Sequence, residues 1–249
     1  MASLIATALA ASSSAAVVLT GDEQTYTQNF DSLADDGDGG FITSWTDDTT
    51  IAGWFVDGIN PGFDAPGTTL AMATSPSGGL QHLGTATDRA LGFRNANSSG
   101  DWLKGVQFQN TTGGVANYEE IAVSFTIEKW QDRGQDEVIQ LQYKITVTGG
   151  NILNSGGWID IDDLTIPDDP AGNGNTDGNL TVNQFELSGT LTNIKLAPGR
   201  FITFRYLDDN VSGNDNALAI DEVSIAFIPE SSSLSPAPAD AARAFTQRR

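Results

Sequence analysis

The sequence has no cysteine and a single histidine among its 249 residues. The absence of cysteine excludes disulfide bonds, thiol catalysis and cysteine-ligated zinc. One histidine cannot form a histidine-ligated transition-metal site, because such sites need several ligands of this kind. His82 would also have to serve any serine–histidine–aspartate triad, but the sequence contains no G-x-S-x-G motif. We therefore assign His82 no catalytic role.

Positive charge and long apolar runs are also scarce. Lys and Arg total 12 against 32 Asp and Glu, which gives a formal net charge of −20. A field of that sign repels nucleic acid and anionic membrane surfaces, and it attracts divalent cations. The apolar runs are too short for a stable membrane span. The sequence predicts no nucleic-acid partner, and its acidity fits either cation binding or solubility alone.

Period-two alternation of apolar residues dominates the middle of the chain. Turn-forming Gly, Asn and Asp residues separate the alternating runs, and no run has the period of a helix. The clearest predicted strands are 121–130, 138–147, 183–191, 201–207 and 217–228. This pattern predicts an all-β fold, a single-domain antiparallel β-sandwich with a jelly-roll-like topology.

The two ends of the sequence differ from the predicted sandwich. Residues 1–21 are small and apolar, and they resemble a secretory signal peptide that lacks the usual positive charge. Residues 229–249 are rich in Ser, Pro and Ala, a composition typical of disordered tails. We therefore expect an exported protein whose sandwich occupies residues 22–228.

Acidic and amide side chains are concentrated just before and at the beginning of the last predicted strand. Calcium takes roughly six to eight oxygen ligands from carboxylates, amides and carbonyls. The spacing is not that of an EF-hand, so a solvated turn is the alternative to a calcium site. The candidate calcium ligands are Asp208, Asp209, Asn214, Asp215, Asp221 and Glu222.

A second candidate site lies near the end of the predicted strand 121–130. Glu128 and Asp132 could supply the two carboxylates that a glycoside hydrolase needs. Trp130, Arg133 and Trp54 are candidate ligand residues, because an indole ring stacks on apolar faces and a guanidinium binds carboxylates. No spacing fixes an acid–base pair, so an ion pair beside a core tryptophan is the alternative. We therefore predict that the protein is not an enzyme.

Several stretches resemble those of bacterial exported β-sandwich proteins of the PEP-CTERM-associated type. The matching stretches are NFDSL (29–33), GWF (53–55), DRALGF (88–93), EKWQDRG (128–134), LAPGRFITFRY (196–206) and SGNDNALAIDEVSI (212–225). The resemblance implies a surface or extracellular-matrix protein of a Gram-negative bacterium, with no established enzymatic activity. The stretch IPESSS (228–233) resembles a degraded sorting signal of that family.

The closing stretch AIDE (219–222) is also similar to the last strand of lectin-like and MAM-like jelly rolls. In several calcium-binding members, an acid near the first strand and an acid near the last strand share an ion. The resemblance therefore implies Asp31 and Asp221 as partners at a calcium site. Arg89 is an alternative partner for a buried acid at this strand.

These observations predict a non-catalytic exported module, stabilised by calcium, that functions in adhesion or in carbohydrate binding. Its expected partner is an extracellular polysaccharide or the extracellular matrix. A secreted polysaccharide hydrolase and a purely structural surface protein are the alternatives.

Overall fold

The computed structural model describes residues 16–21, 23–33, 45–57, 79–85, 87–94, 101–112, 118–168, 174–209 and 215–229. Within these ranges the chain forms thirteen strands and one 3-10 turn at Thr181–Asn183. The strands are β1 Val17–Leu19, β2 Gln24–Gln28, β3 Trp54–Asp57, β4 Gly79–Thr85, β5 Asp88–Arg94, β6 Trp102–Asn110, β7 Tyr118–Asp132, β8 Glu137–Thr146, β9 Ile159–Ile166, β10 Gly174–Asn175, β11 Gln184–Leu191, β12 Phe201–Asp208 and β13 Ala217–Pro229. None of the described segments forms a helix with the length and hydropathy needed to cross a bilayer.

Two sheets face each other, which confirms the predicted β-sandwich. The six-stranded sheet has the order β1-β6-β12-β8-β9, and β3 also pairs with β6. The seven-stranded sheet has the order β10-β7-β13-β5-β4, with β11 also on β7 and β2 also on β13. All pairs are antiparallel except β1 with β6.

Aromatic side chains fill the space between the sheets. Phe108 of β6 lies at the centre, with its ring centroid 4.7 Å from that of Phe227, 5.2 Å from that of Tyr26 and 6.2 Å from that of Phe204. Alternation explains this packing, because every second residue of a strand points to the same face. In β7, for example, the odd-numbered residues from Ile121 to Ile127 are buried.

Strand β13 changes its neighbour halfway along its length. One edge pairs with β7 throughout, whereas the other edge pairs with β5 at 217–220 and with β2 at 223–227. A bulge separates the two halves, and Glu222 within it has a positive φ of 48°. This fork brings the end of β2 and the beginning of β5 to the same point of the sheet.

Strands β1 and β9 are among those that the sequence pattern did not predict. Strand β1 falls inside the signal-like segment 1–21, and Leu19 is buried in the core, so the sandwich extends to at least Val17 on that side. Strand β9 carries three aspartates in IDIDDLTI, which hide its alternation. Charge of this kind is common on edge strands, where it opposes pairing with other chains.

Replacing the central aromatic side chain tests this packing. We expect Phe108→Ala to lower the free energy of unfolding by about 3–5 kcal/mol, because a buried phenyl ring is lost and a cavity remains. Val182→Ala is the control, since Val182 is 78% exposed. Denaturant unfolding measures both variants, and equal effects would contradict the described core.

Candidate metal centre

Three neighbouring strands direct one carboxylate each to the outer face of the seven-stranded sheet, at the fork of β13. They are Glu128 of β7, Asp221 of β13 and Asp88 of β5. Ile127 and Ile220 point into the core, so the residue after each points outward. One carboxylate oxygen from each of the three acids lies within 4.8 Å of those from the other two. We refer to Asp88, Glu128 and Asp221 as the acidic triad.

Two residues of the triad are buried and hydrogen-bonded or packed within the protein, and the third is exposed to solvent. Glu128 and Asp221 are 1% and 3% exposed, whereas Asp88 is exposed. The Trp130 Nε1–H donates to Glu128 Oε2 at 2.9 Å, and the Gln184 amide donates to Glu128 Oε1 at 3.3 Å. Asp221 Oδ1 is buried and has no hydrogen-bond partner among the described residues. Nor does any Lys or Arg in those ranges form an ion pair with the triad.

Asp31 adds a fourth acid beside the triad, directly after the end of β2. Its Oδ1 accepts a hydrogen bond from the backbone N–H of Arg89 at 2.9 Å, and its Oδ2 accepts one from Asn29 at 2.7 Å. The Arg89 guanidinium donates to the backbone oxygens of Thr85 and Leu33, which ties the strand-end segment to β5.

The environment of the triad disfavours its ionised form. Burial, followed by the charges of nearby acids, raises the pKa of Asp221 to about 8. Burial likewise raises the pKa of Glu128 to about 7, with the charge of Asp88 adding to the effect. The pKa of Asp88 is also raised, first by partial desolvation and then by the charge of Asp31.

A hard divalent cation would resolve this repulsion. Calcium–oxygen distances of about 2.3–2.6 Å allow one ion to bind oxygens that lie within about 5 Å of one another. The available donors are all oxygens, which suit calcium or magnesium and not zinc or copper. The chemistry of the triad therefore fits calcium, and Asp88, Glu128 and Asp221 would each supply an oxygen to it.

The predicted calcium ligands do not form one group. Asp221, Glu222 and Asp31 lie at the fork, although Glu222 is exposed on the bulge. Asp208 and Asp215 are buried elsewhere, and Asp209 is exposed. Asn214 lies outside the described residues.

Asp208 and Asp215 belong to a separate buried cluster at one end of the sandwich. Burial, with Asp208 as the largest neighbouring charge, raises the pKa of Glu137 to about 9. Burial also raises the pKa of Asp208 to about 7, against the opposing charge of Lys104. Among the described residues, the triad is the one group of three carboxylates with oxygens within 4.8 Å of one another. Residues 210–214 of the predicted cage lie outside the described residues, so that cage stays a prediction.

The residues of the predicted hydrolase site are used for structure. Asp132 Oδ2 accepts a 2.7 Å hydrogen bond from Lys129, and Glu128 is bound by Trp130. Glu128 and Asp132 are four positions apart in β7, which corresponds to about 13 Å along the strand.

The candidate ligand residues also make contacts within the protein. Trp54 is fully buried and donates to the Tyr26 hydroxyl at 2.8 Å, and Trp130 is 4% exposed, so neither indole presents a stacking face. Arg133 donates to the Gln131 side chain at 2.7 Å. Likewise, His82 is buried within β4.

Sequence reasoning did not assign Asp88 and Glu128 to the metal site. Asp88 belongs to the stretch DRALGF and Glu128 to EKWQDRG, both of which contribute to the family resemblance. Asp31 and Asp221 come from two further stretches of the same resemblance. The four acids meet only because distant strands pair with one another. Residue spacing along the sequence does not show which strands pair, so the sequence alone does not group these acids.

Comparison with known proteins gives no family assignment. No family model and no curated protein matches the chain. A solved carbohydrate-binding module that recognises mannan, TmCBM27, aligns with 83% of this chain and 99% of its own at 12% identity and a TM-score of 0.40. An adhesin domain of Lys-gingipain from Porphyromonas gingivalis aligns with 70% of this chain and 90% of its own at 13% identity and a TM-score of 0.38.

A larger enzyme fragment also aligns. The CBM22-1 and GH10 modules of a Clostridium thermocellum xylanase match 73% of this chain at 12% identity and a TM-score of 0.38. This chain spans 27% of that fragment's length. Similarity at these levels indicates no function for the chain, and its fold is established by its own strand pairing.

The raised pKa values predict how pH affects stability without metal. Between about pH 4 and pH 8 the folded triad holds more protons than the unfolded chain, so stability falls as pH rises. In chelator, we expect the free energy of unfolding to decrease across this range, and calcium to reduce the decrease. Urea unfolding at each pH measures the slope. Asp221→Asn should flatten the slope in chelator, and an unchanged slope in that variant would contradict the account.

The contact between Gly178 and Trp130 predicts a second effect. A Cβ at Gly178 would lie 2.3 Å from Trp130 Nε1, the atom that holds Glu128. We expect Gly178→Ala to displace the indole and to reduce stability by about 1–3 kcal/mol. Gly156→Ala is the matched control, because nothing lies within 4 Å of the added Cβ. Thermal unfolding compares the two, and a neutral Gly178→Ala would refute the contact.

Proposed function

We propose that the protein is a non-catalytic, calcium-stabilised module of the bacterial cell surface or extracellular matrix that binds carbohydrate. The observation that carries this proposal is the convergence of Asp88, Glu128 and Asp221 on one point, with a buried Asp221 oxygen that has no hydrogen-bond partner among the described residues. Calcium there would fasten β5, β7 and β13 to one another.

The composition of the site supports an extracellular location. Three carboxylates with one exposed member form a modest site, and extracellular modules typically bind calcium with dissociation constants of about 10⁻⁴–10⁻³ M. Such a site is occupied where calcium is abundant. The signal-like composition of the residues before β1 and the strong net negative charge agree with export.

Four of the stretches on which the family resemblance rests supply acids near the fork. NFDSL provides Asp31, DRALGF provides Asp88, EKWQDRG provides Glu128 and the closing stretch provides Asp221. All four acids adjoin the fork, so these four stretches meet at one point of the sheet.

The hydrolase alternative lacks a comparable observation. Glu128 is 1% exposed and both of its carboxylate oxygens accept hydrogen bonds from the protein, so it has no path to a substrate. The structural-protein alternative shares the calcium site and differs only in having no glycan ligand.

Calcium titration of the full chain tests the metal site. A ligand that binds only the folded state adds about 2.7 kcal/mol of stability at a hundredfold excess over its dissociation constant. We therefore expect calcium to raise the thermal unfolding midpoint clearly. Asp88→Asn, which changes an exposed ligand without disturbing the core, should abolish most of the rise.

Asp162→Asn is the matched control, because Asp162 is an exposed acid on β9 outside the triad. It should keep the full response to calcium. A midpoint unaffected by calcium, or an equal response in Asp88→Asn and the wild type, would overturn the calcium proposal.

A further inference from the structure

The outer face of the seven-stranded sheet carries a regular array of small hydroxyl side chains. Strand register places Thr27, Ser224, Ser124 and Ser188 side by side in one row across β2, β13, β7 and β11. The next row has Thr25 and Thr190 at its ends and two alanines between them. Each row spans three inter-strand spacings, or about 14 Å. We call these two rows the hydroxyl trough.

The trough is open and its hydrogen-bonding groups are available. Its residues are exposed or partly exposed, and no hydrogen bond from its six hydroxyl groups is made within the described part of the chain. The small side chains leave a shallow cavity of about 230 Å³ over β7, β11 and β13. Beside it, a pocket of about 360 Å³ opens between the end of β2 and the bulge at Glu222 and Val223.

The acidic triad adjoins this surface. Asp221 lies on the same outer face as Ser224, pairs with Thr126 and directly precedes the bulge that lines the pocket. Its buried Oδ1 has no protein partner in the described ranges. A cation held there would fix the bulge, and with it the wall of the pocket.

The outer face of the other sheet is covered by the chain itself. The connection between β8 and β9 folds back over it, and Leu153 packs on Phe55 and Leu103. Gln107 and Gly150 exchange two hydrogen bonds below this connection. Trp158 lies over Arg205, with 4.2 Å from the guanidinium carbon to the ring centroid. By contrast, the residues of the trough are exposed or partly exposed.

We propose that the hydroxyl trough and its adjoining pocket bind an uncharged polysaccharide, and that this binding depends on calcium at the triad; the inference rests on the proposed function. A chain of neutral sugars offers hydroxyl groups that pair with a row of serine and threonine hydroxyls. The net charge of −20 and the nearby Glu222 repel anionic polymers and nucleic acid. Among the described residues, the linings of the trough and the pocket contain no aromatic or arginine side chain of the kind that dominates protein interfaces, so a protein partner fits them poorly.

Affinity gel electrophoresis of the full chain tests this assignment. Gels containing soluble xylan, glucomannan or dextran, with polygalacturonate as the anionic comparison, are run in calcium and in chelator. We expect retardation by at least one neutral polymer in calcium, weaker retardation in chelator, and none by polygalacturonate. Ser124→Leu and Ser224→Leu fill the trough and remove a hydroxyl each, and each should weaken binding at least about tenfold.

Two control variants test whether the ligand binds at the trough and not elsewhere on the protein. Thr165→Leu makes a similar change on an exposed position of β9, and Trp158→Ala removes the partly exposed indole on the other sheet. Both should bind like the wild type, and unchanged circular dichroism and unfolding midpoints confirm that all variants are folded. Ser124→Ala and Ser224→Ala serve as milder versions if either leucine variant fails to fold.

The outcomes separate this inference from the proposed function. Full binding by the trough variants, or loss of binding in Trp158→Ala, would overturn the trough assignment and leave carbohydrate binding intact. Retardation of the wild type by polygalacturonate alone would overturn the choice of an uncharged ligand. A wild type that no polysaccharide retards would overturn both the trough and the carbohydrate function, while the calcium titration would still report on the metal site.

Discussion

Mutual repulsion among Asp88, Glu128 and Asp221 is the constraint on which the account of this protein depends. Two of these carboxylates are almost wholly buried, and all three have an oxygen within 4.8 Å of the others. Like charges in such a place must be neutralised by protons or by a cation, because an uncompensated buried charge costs several kcal/mol. Protons neutralise Asp221 up to about pH 8 and Glu128 up to about pH 7, and a bound divalent ion would take their place.

The topology of β13 creates this site. A strand with one continuous partner would leave no gap beside Asp221, but β13 pairs first with β5 and then with β2. The bulge between the two halves re-aims the backbone, and the positive φ of Glu222 is local strain of the kind often found at functional sites. An ion at this point would join strands that are far apart in sequence. The same fork also borders the hydroxyl trough, so stability and ligand binding would share one element.

The sequence predicts the strands better than it predicts the site. Alternation identified β7, β8, β11, β12 and β13 because each has one face in the core, and it missed β9 because acids occupy that edge strand. Local density of acids pointed to residues 208–216, where Asp208 and Asp215 in fact lie in a separate buried cluster. The triad draws one residue from each of three strands, and only their pairing shows that Asp88 meets Glu128. The sequence also does not distinguish a tryptophan that binds ligand from one that packs inside the protein. Trp54 is buried and donates to Tyr26, and Trp130 donates to the Glu128 carboxylate.

The most direct measurement is a crystal structure of the full chain grown in calcium, with the ion located by its anomalous scattering. The account predicts one calcium bound by oxygens of Asp88, Glu128 and Asp221 at about 2.4 Å, with water on the Asp88 side. The central claim would be contradicted if the triad oxygens were hydrogen-bonded to one another through shared protons. It would also be contradicted if the calcium ion lay elsewhere or were not bound while the rest of the chain was well ordered.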